Sequence, residues 1–131
     1  MVSSLLLSNG APPSLAANVQ AICLGVSYSS EIKDPAACAA LVATHPELGV
    51  VQDADRLDAI GAVGIGRVFS YGAARTDRPM SSALTHFDEK LLRLEAMAKT
   101  PVGRALMRER TERLQTFKEW WSEEVAFAVS G

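Results

Sequence analysis

Residues 51–67 read VQDADRLDAIGAVGIGR, an acidic head joined to a small-sided, apolar remainder. Its three carboxylates, Asp53, Asp55 and Asp58, fall within six residues. Negative charge on a buried helix costs free energy unless a cation, a metal ion or a hydrogen-bond donor meets it. We therefore expect these carboxylates to contact a cation, a metal ion or hydrogen-bond donors.

The spacing of these acids leaves two interpretations open. On a helix Asp55 and Asp58 share a face, whereas Asp53 points elsewhere or lies in the preceding turn. Carboxylates in a first helical turn are also favoured by the helix dipole and its unpaired N–H groups, so capping alone explains at least one. Arg56 and Arg67 are close enough in sequence to neutralise others.

The glycines that follow the acids predict close packing rather than a nucleotide loop. We interpret 50–71 as one helix, because it is too long for a strand and has few β-branched residues. So many helical glycines indicate that another backbone approaches closely. The order of Gly61, Gly64 and Gly66 does not fit a dinucleotide fingerprint, and no strand pattern precedes them.

Helical patterns account for most of the remaining chain. Residues 1–13 are predicted to be an irregular lead, because Asn-Gly and Pro-Pro pairs interrupt it. Apolar periodicity and capping signals then predict further helices over 14–30, 36–43, 83–99 and 101–128. The sequence therefore predicts an all-α fold, a single-domain helical bundle of about four to five helices over residues 14–131.

Composition narrows the class of protein. The 131 residues carry a net charge of −2, which gives no reason to expect a nucleic acid or an anionic membrane as partner. No apolar run reaches the ~18 residues of a membrane span, and no signal peptide is recognisable, so a cytoplasmic protein is expected. Cys23 and Cys38 lack metal-type spacing and are predicted to be buried free thiols.

An ordered series of motifs carries a resemblance to a known family. The chain contains VSYSSE at 26–31, DADRLDAIGA at 53–62, RVFSYG at 67–72, HFDEKLL at 86–92 and TPVGR at 100–104. Over about residues 14–122 it resembles a bacterial and fungal branch of the HD superfamily of metal-dependent phosphohydrolases. The part that it resembles is the C-terminal portion of that helical domain.

The resemblance implies roles for five residues. Asp55 matches the family's last ligand for a divalent metal such as Mn or Mg, and Asp53 is a second candidate. Asp58 would contact the substrate or support a ligand. His86 and Lys90, four residues apart on one helix, would face the same pocket, where Lys90 suits a phosphate oxygen and His86 suits proton transfer. From the residues alone, a capped, solvated His86 and a surface Lys90 are the more ordinary interpretation.

The family's first histidine and its His-Asp pair have no counterpart here. The two histidines are His45, expected in a loop before Pro46, and His86, and neither precedes an aspartate. We therefore expect a truncated relative without a complete metal site, whose exposed apolar surface pairs with a second copy or another chain. The expected activity is metal-dependent hydrolysis of a nucleotide or another phosphate ester. The alternative is a non-catalytic helical interaction or regulatory module.

Overall fold

Every regular element in a computed structural model of the chain, which describes residues 1–129, is helical. This confirms the all-α prediction. The described residues form two compact units, one spanning Met1–Gln52 and the other starting at Asp53. The predicted boundary between a lead of 1–13 and a domain of 14–131 stays a prediction. The α-helices are α1 (Val2–Ser8), α2 (Pro13–Gly25), α3 (Tyr28–Lys33), α4 (Pro35–Thr44), α5 (Pro46–Leu57), α6 (Gly61–Arg75), α7 (Ser82–Glu89) and α8 (Pro101–Val129).

The first unit begins with a helical hairpin, so the prediction of an irregular lead is wrong over α1. No breaker interrupts the chain before Asn9, which leaves the leucine run free to form a helix. Gly10 supplies the turn with φ of 85°, and α2 packs back on α1. The amide of Ser3 donates to Oε1 of Gln20 at 3.0 Å, which ties the two helices together.

Two side-chain caps divide the following segment into short helices. The helix predicted to continue through residue 30 ends at Gly25, because Ser27 starts a new one by accepting the amide of Ser30 at 3.4 Å. Asp34 then accepts the amide of Ala37 at 2.9 Å and begins α4. The helix predicted over 36–43 is thus confirmed, with bounds one residue wider at each end.

A buried glutamine organises the first unit's interior. The side chain of Gln52 is fully buried, and its Nε2 donates to the carbonyl of Gly25 at 2.9 Å and to Sγ of Cys38 at 3.3 Å. A Cβ on Gly25 would meet Leu48 at 2.7 Å, so the glycine allows close contact there. Both cysteines are free, as predicted, but Cys23 is exposed and Cys38 is half-buried, so the prediction that both are buried is wrong.

The second unit contains a break that the sequence pattern does not reveal. The single helix predicted over 50–71 is wrong: α5 ends at Leu57 and α6 starts at Gly61. Gly61 has φ of 73°, a left-handed conformation that glycine tolerates best. The Arg110 side chain covers this glycine and donates to the carbonyl of Leu57 at 2.5 Å. The close backbone approach expected for the glycines occurs at Gly64, which lies against the carbonyl of Ala59.

The helix predicted over 83–99 is also shorter in the structure. It ends at Glu89, and two 3₁₀ segments, Leu91–Arg93 and Glu95–Met97, follow. Leu91 and Leu94, three residues apart, are both buried. A 3₁₀ turn repeats every three residues, so it aligns the two leucines on one side.

The last helix begins as predicted and anchors an aromatic core. Thr100 accepts the amide of Gly103 at 2.9 Å and caps α8. The Phe69 ring of α6 stacks on Trp121 with centroids 5.6 Å apart, and it meets Phe117 edge-on at 5.9 Å. Phe87 of α7 lies 6.1 Å from Phe117. These contacts hold α6 and α7 against α8.

Two glycines on α6 provide a matched test of the helix break between α5 and α6. Gly61→Ala should lower the free energy of unfolding by about 1–2 kcal/mol, because alanine disfavours the left-handed conformation. Gly66→Ala should raise it by about 0.5–1 kcal/mol, because this glycine lies inside the helix with no atom near its Cβ position. Urea unfolding of both variants measures the difference, and two equal values would contradict the assignment of the break.

Candidate functional site

A cavity of about 580 Å³ lies within the second unit, between α6, the loop at 76–81 and α7. The side chains that give it chemical character come from all three elements. Its cations are Arg67, Arg78 and Lys90, and an imidazole is present as His86. Aromatic and apolar groups complete the wall: Val68, Phe69, Tyr71, Met80 and Leu91. The cavity therefore combines positive charge with apolar surface.

Helical spacing explains why these side chains meet. Arg67 and Tyr71 are four residues apart on α6, and His86 and Lys90 have the same spacing at α7, so each pair shares one face. The two members of a pair are offset by about 6 Å along the axis. His86 and Lys90 do line one cavity, as the sequence predicts, while their chemical roles stay predictions. Gly64 and Ala83, which lack bulk, leave the space open.

Asp58 adjoins this cavity through an ion pair. Its carboxylate accepts from Arg67, whose Nη1 also donates to the Asp58 carbonyl at 3.2 Å. Both side chains are exposed, so the pair adds little to stability but restricts the guanidinium. Within the described residues 1–129, no aspartate or glutamate lines the cavity itself. Asp58 therefore acts on the cavity by holding Arg67.

His86 titrates below its ordinary range. Partial burial and then the neighbouring Lys90 charge lower the pKa of His86, while Glu89 opposes them. Both leading causes disfavour the charged imidazolium. At neutral pH the ring is therefore uncharged and keeps one nitrogen donor and one nitrogen acceptor.

Asp53 lies away from this cavity and is committed to hydrogen bonds. It is buried, and its carboxylate accepts the amides of Lys99 and Thr100 and the hydroxyl of Thr100, each at 2.8 Å. These groups stand at the start of α8, where N–H groups and the helix dipole favour a negative charge. Asp53 thus caps a helix, which is one of the interpretations that the sequence left open. The helix that it caps is α8 and not α5, to which Asp53 itself belongs. A Cβ on Gly103 would collide with this carboxylate.

The donors present do not fit a divalent metal centre. In the part of the chain that the structure describes, no group of three or more His, Cys, Asp or Glu side chains could hold an ion. Asp53 is engaged as described, and Asp55 is exposed and outside the cavity lining. A catalytic metal needs several fixed ligands together with an open position. The metal roles of Asp53 and Asp55 therefore stay predictions.

Sequence reasoning missed part of the cavity. It assigned Arg67 only to charge neutralisation, although Arg67 and Tyr71 follow the same four-residue spacing that singled out His86 and Lys90. Arg78 belongs to a loop, where no periodicity indicates the direction of a side chain. His45 ends α4 directly before α5 and is outside both helices, as predicted.

Removing the Asp53 cap should destabilise the protein even without metal. Asp53→Asn places an amide donor among N–H and hydroxyl donors, which should lower the free energy of unfolding by about 2–4 kcal/mol. Asp55→Asn is the matched control and should change it by less than about 0.5 kcal/mol, because Asp55 is exposed. Urea unfolding in EDTA measures both, and equal stability of the two variants would contradict the cap.

His86 should make stability depend on pH. Because its folded pKa lies below its unfolded value of about 6.5, the unfolded chain binds more protons at acid pH. The free energy of unfolding should therefore fall as the pH drops through about 6.5 and level off above it. His86→Gln should remove this part of the pH dependence. Urea unfolding of both proteins from pH 5 to 8 measures it, and parallel profiles would refute the effect.

Comparison with known proteins relates the chain to a solved nucleotide complex. No protein-family model matches it. A stretch of 63 residues is 52% identical to YpgQ of Bacillus subtilis and covers 46% of this chain and 31% of YpgQ. The crystal structure of YpgQ in complex with ADP matches with a TM-score of 0.75 and 35% identity, over 95% of this chain and 62% of that one. The chain thus spans less than two thirds of these relatives.

Two further solved structures resemble the chain, and one of them is described as a hydrolase. An HD-superfamily hydrolase from Bacillus thuringiensis has a TM-score of 0.56 and 27% identity, over 95% of this chain and 70% of that one. A protein from Lactobacillus plantarum has a TM-score of 0.74 and 28% identity, over 92% of this chain and 65% of that one. Across residues 1–129, no helix is long and apolar enough to cross a membrane. The chain has an HD-like helical fold.

Proposed function

We propose that this chain is an HD-superfamily phosphohydrolase-like protein whose second unit binds a phosphate-bearing small molecule. The observation that carries the proposal is the convergence of Arg67, Arg78 and Lys90 on one cavity without a lining carboxylate among the described residues. An entering anion would share the Arg67 guanidinium with Asp58 and add charge-assisted contacts with the other two cations. A guanidinium binds phosphate through two parallel hydrogen bonds, and an ammonium binds it as a point charge.

A nucleoside diphosphate is the class of ligand that suits this cavity best. Its volume of about 580 Å³ is typical of small-molecule sites, and its wall includes the rings of Phe69 and Tyr71. A base would lie on this apolar wall while the phosphates meet the cations. Support also comes from the ADP in the crystal structure of the relative YpgQ.

Each polar residue then has a distinct task. Lys90 and Arg78 bind phosphate oxygens, and Asp58 orients Arg67 toward the same ligand through their ion pair. His86, neutral at pH 7, can donate or accept a hydrogen bond at the ligand. Asp53 supports the site indirectly by fixing the start of α8.

Hydrolysis is the further activity that the family resemblance suggests. Divalent metals in such enzymes activate water and stabilise charge on the phosphate. The engagement of Asp53 by three donors favours the alternative, a module that binds the ligand without cleaving it. Release of phosphate from ADP with added Mn²⁺ or Mg²⁺ distinguishes the two, because turnover lost in Asp55→Ala would reject the non-catalytic alternative.

ADP should bind to the purified protein in EDTA, and binding should depend on the cavity's cations. Lys90→Met should weaken binding about tenfold, because the charge-assisted contact with phosphate is lost. Arg113→Met is the matched control, since Arg113 pairs with Glu109 on the exposed face of α8 and should leave affinity unchanged. Titration calorimetry measures both. Absence of ADP binding, or equal loss in the two variants, would overturn the proposed site.

A further inference from the structure

We propose that His86 takes up a proton when a phosphate-bearing ligand enters the cavity, so that anion binding at this site is linked to proton binding. The inference rests on the proposed function, because it needs the anion to enter this cavity. It adds a pH dependence of ligand binding that the cavity's cations alone do not supply. The site would then respond to pH as well as to ligand concentration.

The placement of His86 among cations is the first argument. Arg67 and Tyr71 of α6 and Arg78 of the loop at 76–81 line the same cavity as His86, and Lys90, directly after α7, lies one turn from it and is the cation whose charge acts on the ring. Glu89, next to Lys90, opposes these charges only in part. The Asp58 carboxylate is engaged by Arg67.

The second argument is the state of the ring before the ligand arrives. His86 is half-buried, and that burial together with the Lys90 charge lowers its pKa. The free protein therefore holds a neutral imidazole in a positive cavity at neutral pH. Because its surroundings disfavour the charged form of His86, a change in those surroundings can change the protonation state of the ring.

A bound diphosphate leaves the burial of His86 in place but places negative charge beside the ring, which opposes the effect of Lys90. Its negative oxygens offset the charge of Lys90 and the two arginines, and they accept hydrogen bonds from both nitrogens of an imidazolium better than from a neutral ring. The unprotonated ring nitrogen then takes one proton from solvent, and no bond in the ligand breaks. By linkage, the protonated protein must bind the anion more tightly than the neutral one, by tenfold for each unit that the pKa of His86 rises.

The test uses the fact that the chain has two histidines. Proton NMR of the imidazole Cε1 hydrogens, titrated from pH 5 to 8.5 in EDTA, gives a midpoint for His86 and for His45. Saturating ADP should raise the His86 midpoint by at least about 0.5 unit, equivalent to about threefold tighter binding by the protonated form. His45 is outside the cavity and should keep its midpoint. Assignment comes from the loss of one resonance in His86→Gln.

A second measurement does not depend on the resonance assignment. The ADP affinity of the wild type relative to His86→Gln should rise between pH 8 and pH 5.5, by up to about threefold for a rise of 0.5 unit in the His86 midpoint. The terminal phosphate of ADP also titrates near this range, and the ratio of the two proteins cancels that contribution.

The outcomes separate this inference from the proposed site. Saturable ADP binding with an unchanged or lowered His86 midpoint would overturn the proton linkage and leave the phosphate site intact. A constant affinity ratio across the pH range would overturn it equally. Failure of ADP to shift any resonance would instead overturn the proposed function, and the linkage with it.

Discussion

The second unit depends on one buried carboxylate at the start of its longest helix. Asp53 accepts two amides and a hydroxyl from Lys99 and Thr100, and the same Thr100 hydroxyl accepts the amide of Gly103. A buried carboxylate is stable only when donors replace its lost hydration. The N-terminus of α8 supplies those donors. The carboxylate therefore gains hydrogen bonds, and the otherwise unpaired N–H groups of the helix end gain an acceptor. Replacing either partner leaves the other buried without compensation.

This cap also determines where the cavity's walls stand. With its first turn fixed, α8 presents Phe117 and Trp121 to the rings of Phe69 and Phe87. Those rings hold α6 and α7, which carry Arg67 and His86 of the cavity, while Arg78 and Lys90 lie in the segments that flank α7. Substitutions at the cap should thus affect ligand binding through stability and geometry, although Asp53 touches no ligand in the proposed site.

The sequence predicts the helical class and the start of α8 because both depend on local signals. Apolar periodicity and the Thr100-Pro101 pair act within a few residues. The break before Gly61 is different, because the covering Arg110 is distant in sequence. The same limit explains the cap, since the pattern around Asp53 gives no indication that its partners are Lys99 and Thr100. Long-range partners are what one sequence without an alignment does not reveal.

The acidic motif therefore separates into three physical roles. Asp53 is buried and bound by donors, Asp55 is exposed, and Asp58 restrains Arg67 at the cavity. The family resemblance implied metal roles for Asp55 and Asp53 and a supporting role for Asp58, yet the three side chains lie in different environments. Most of the cations that define the cavity lie instead on α6, α7 and the loop between them. In the function that we propose, the cavity recognises an anion, and Asp53 and Asp58 contribute to it by positioning a helix and an arginine.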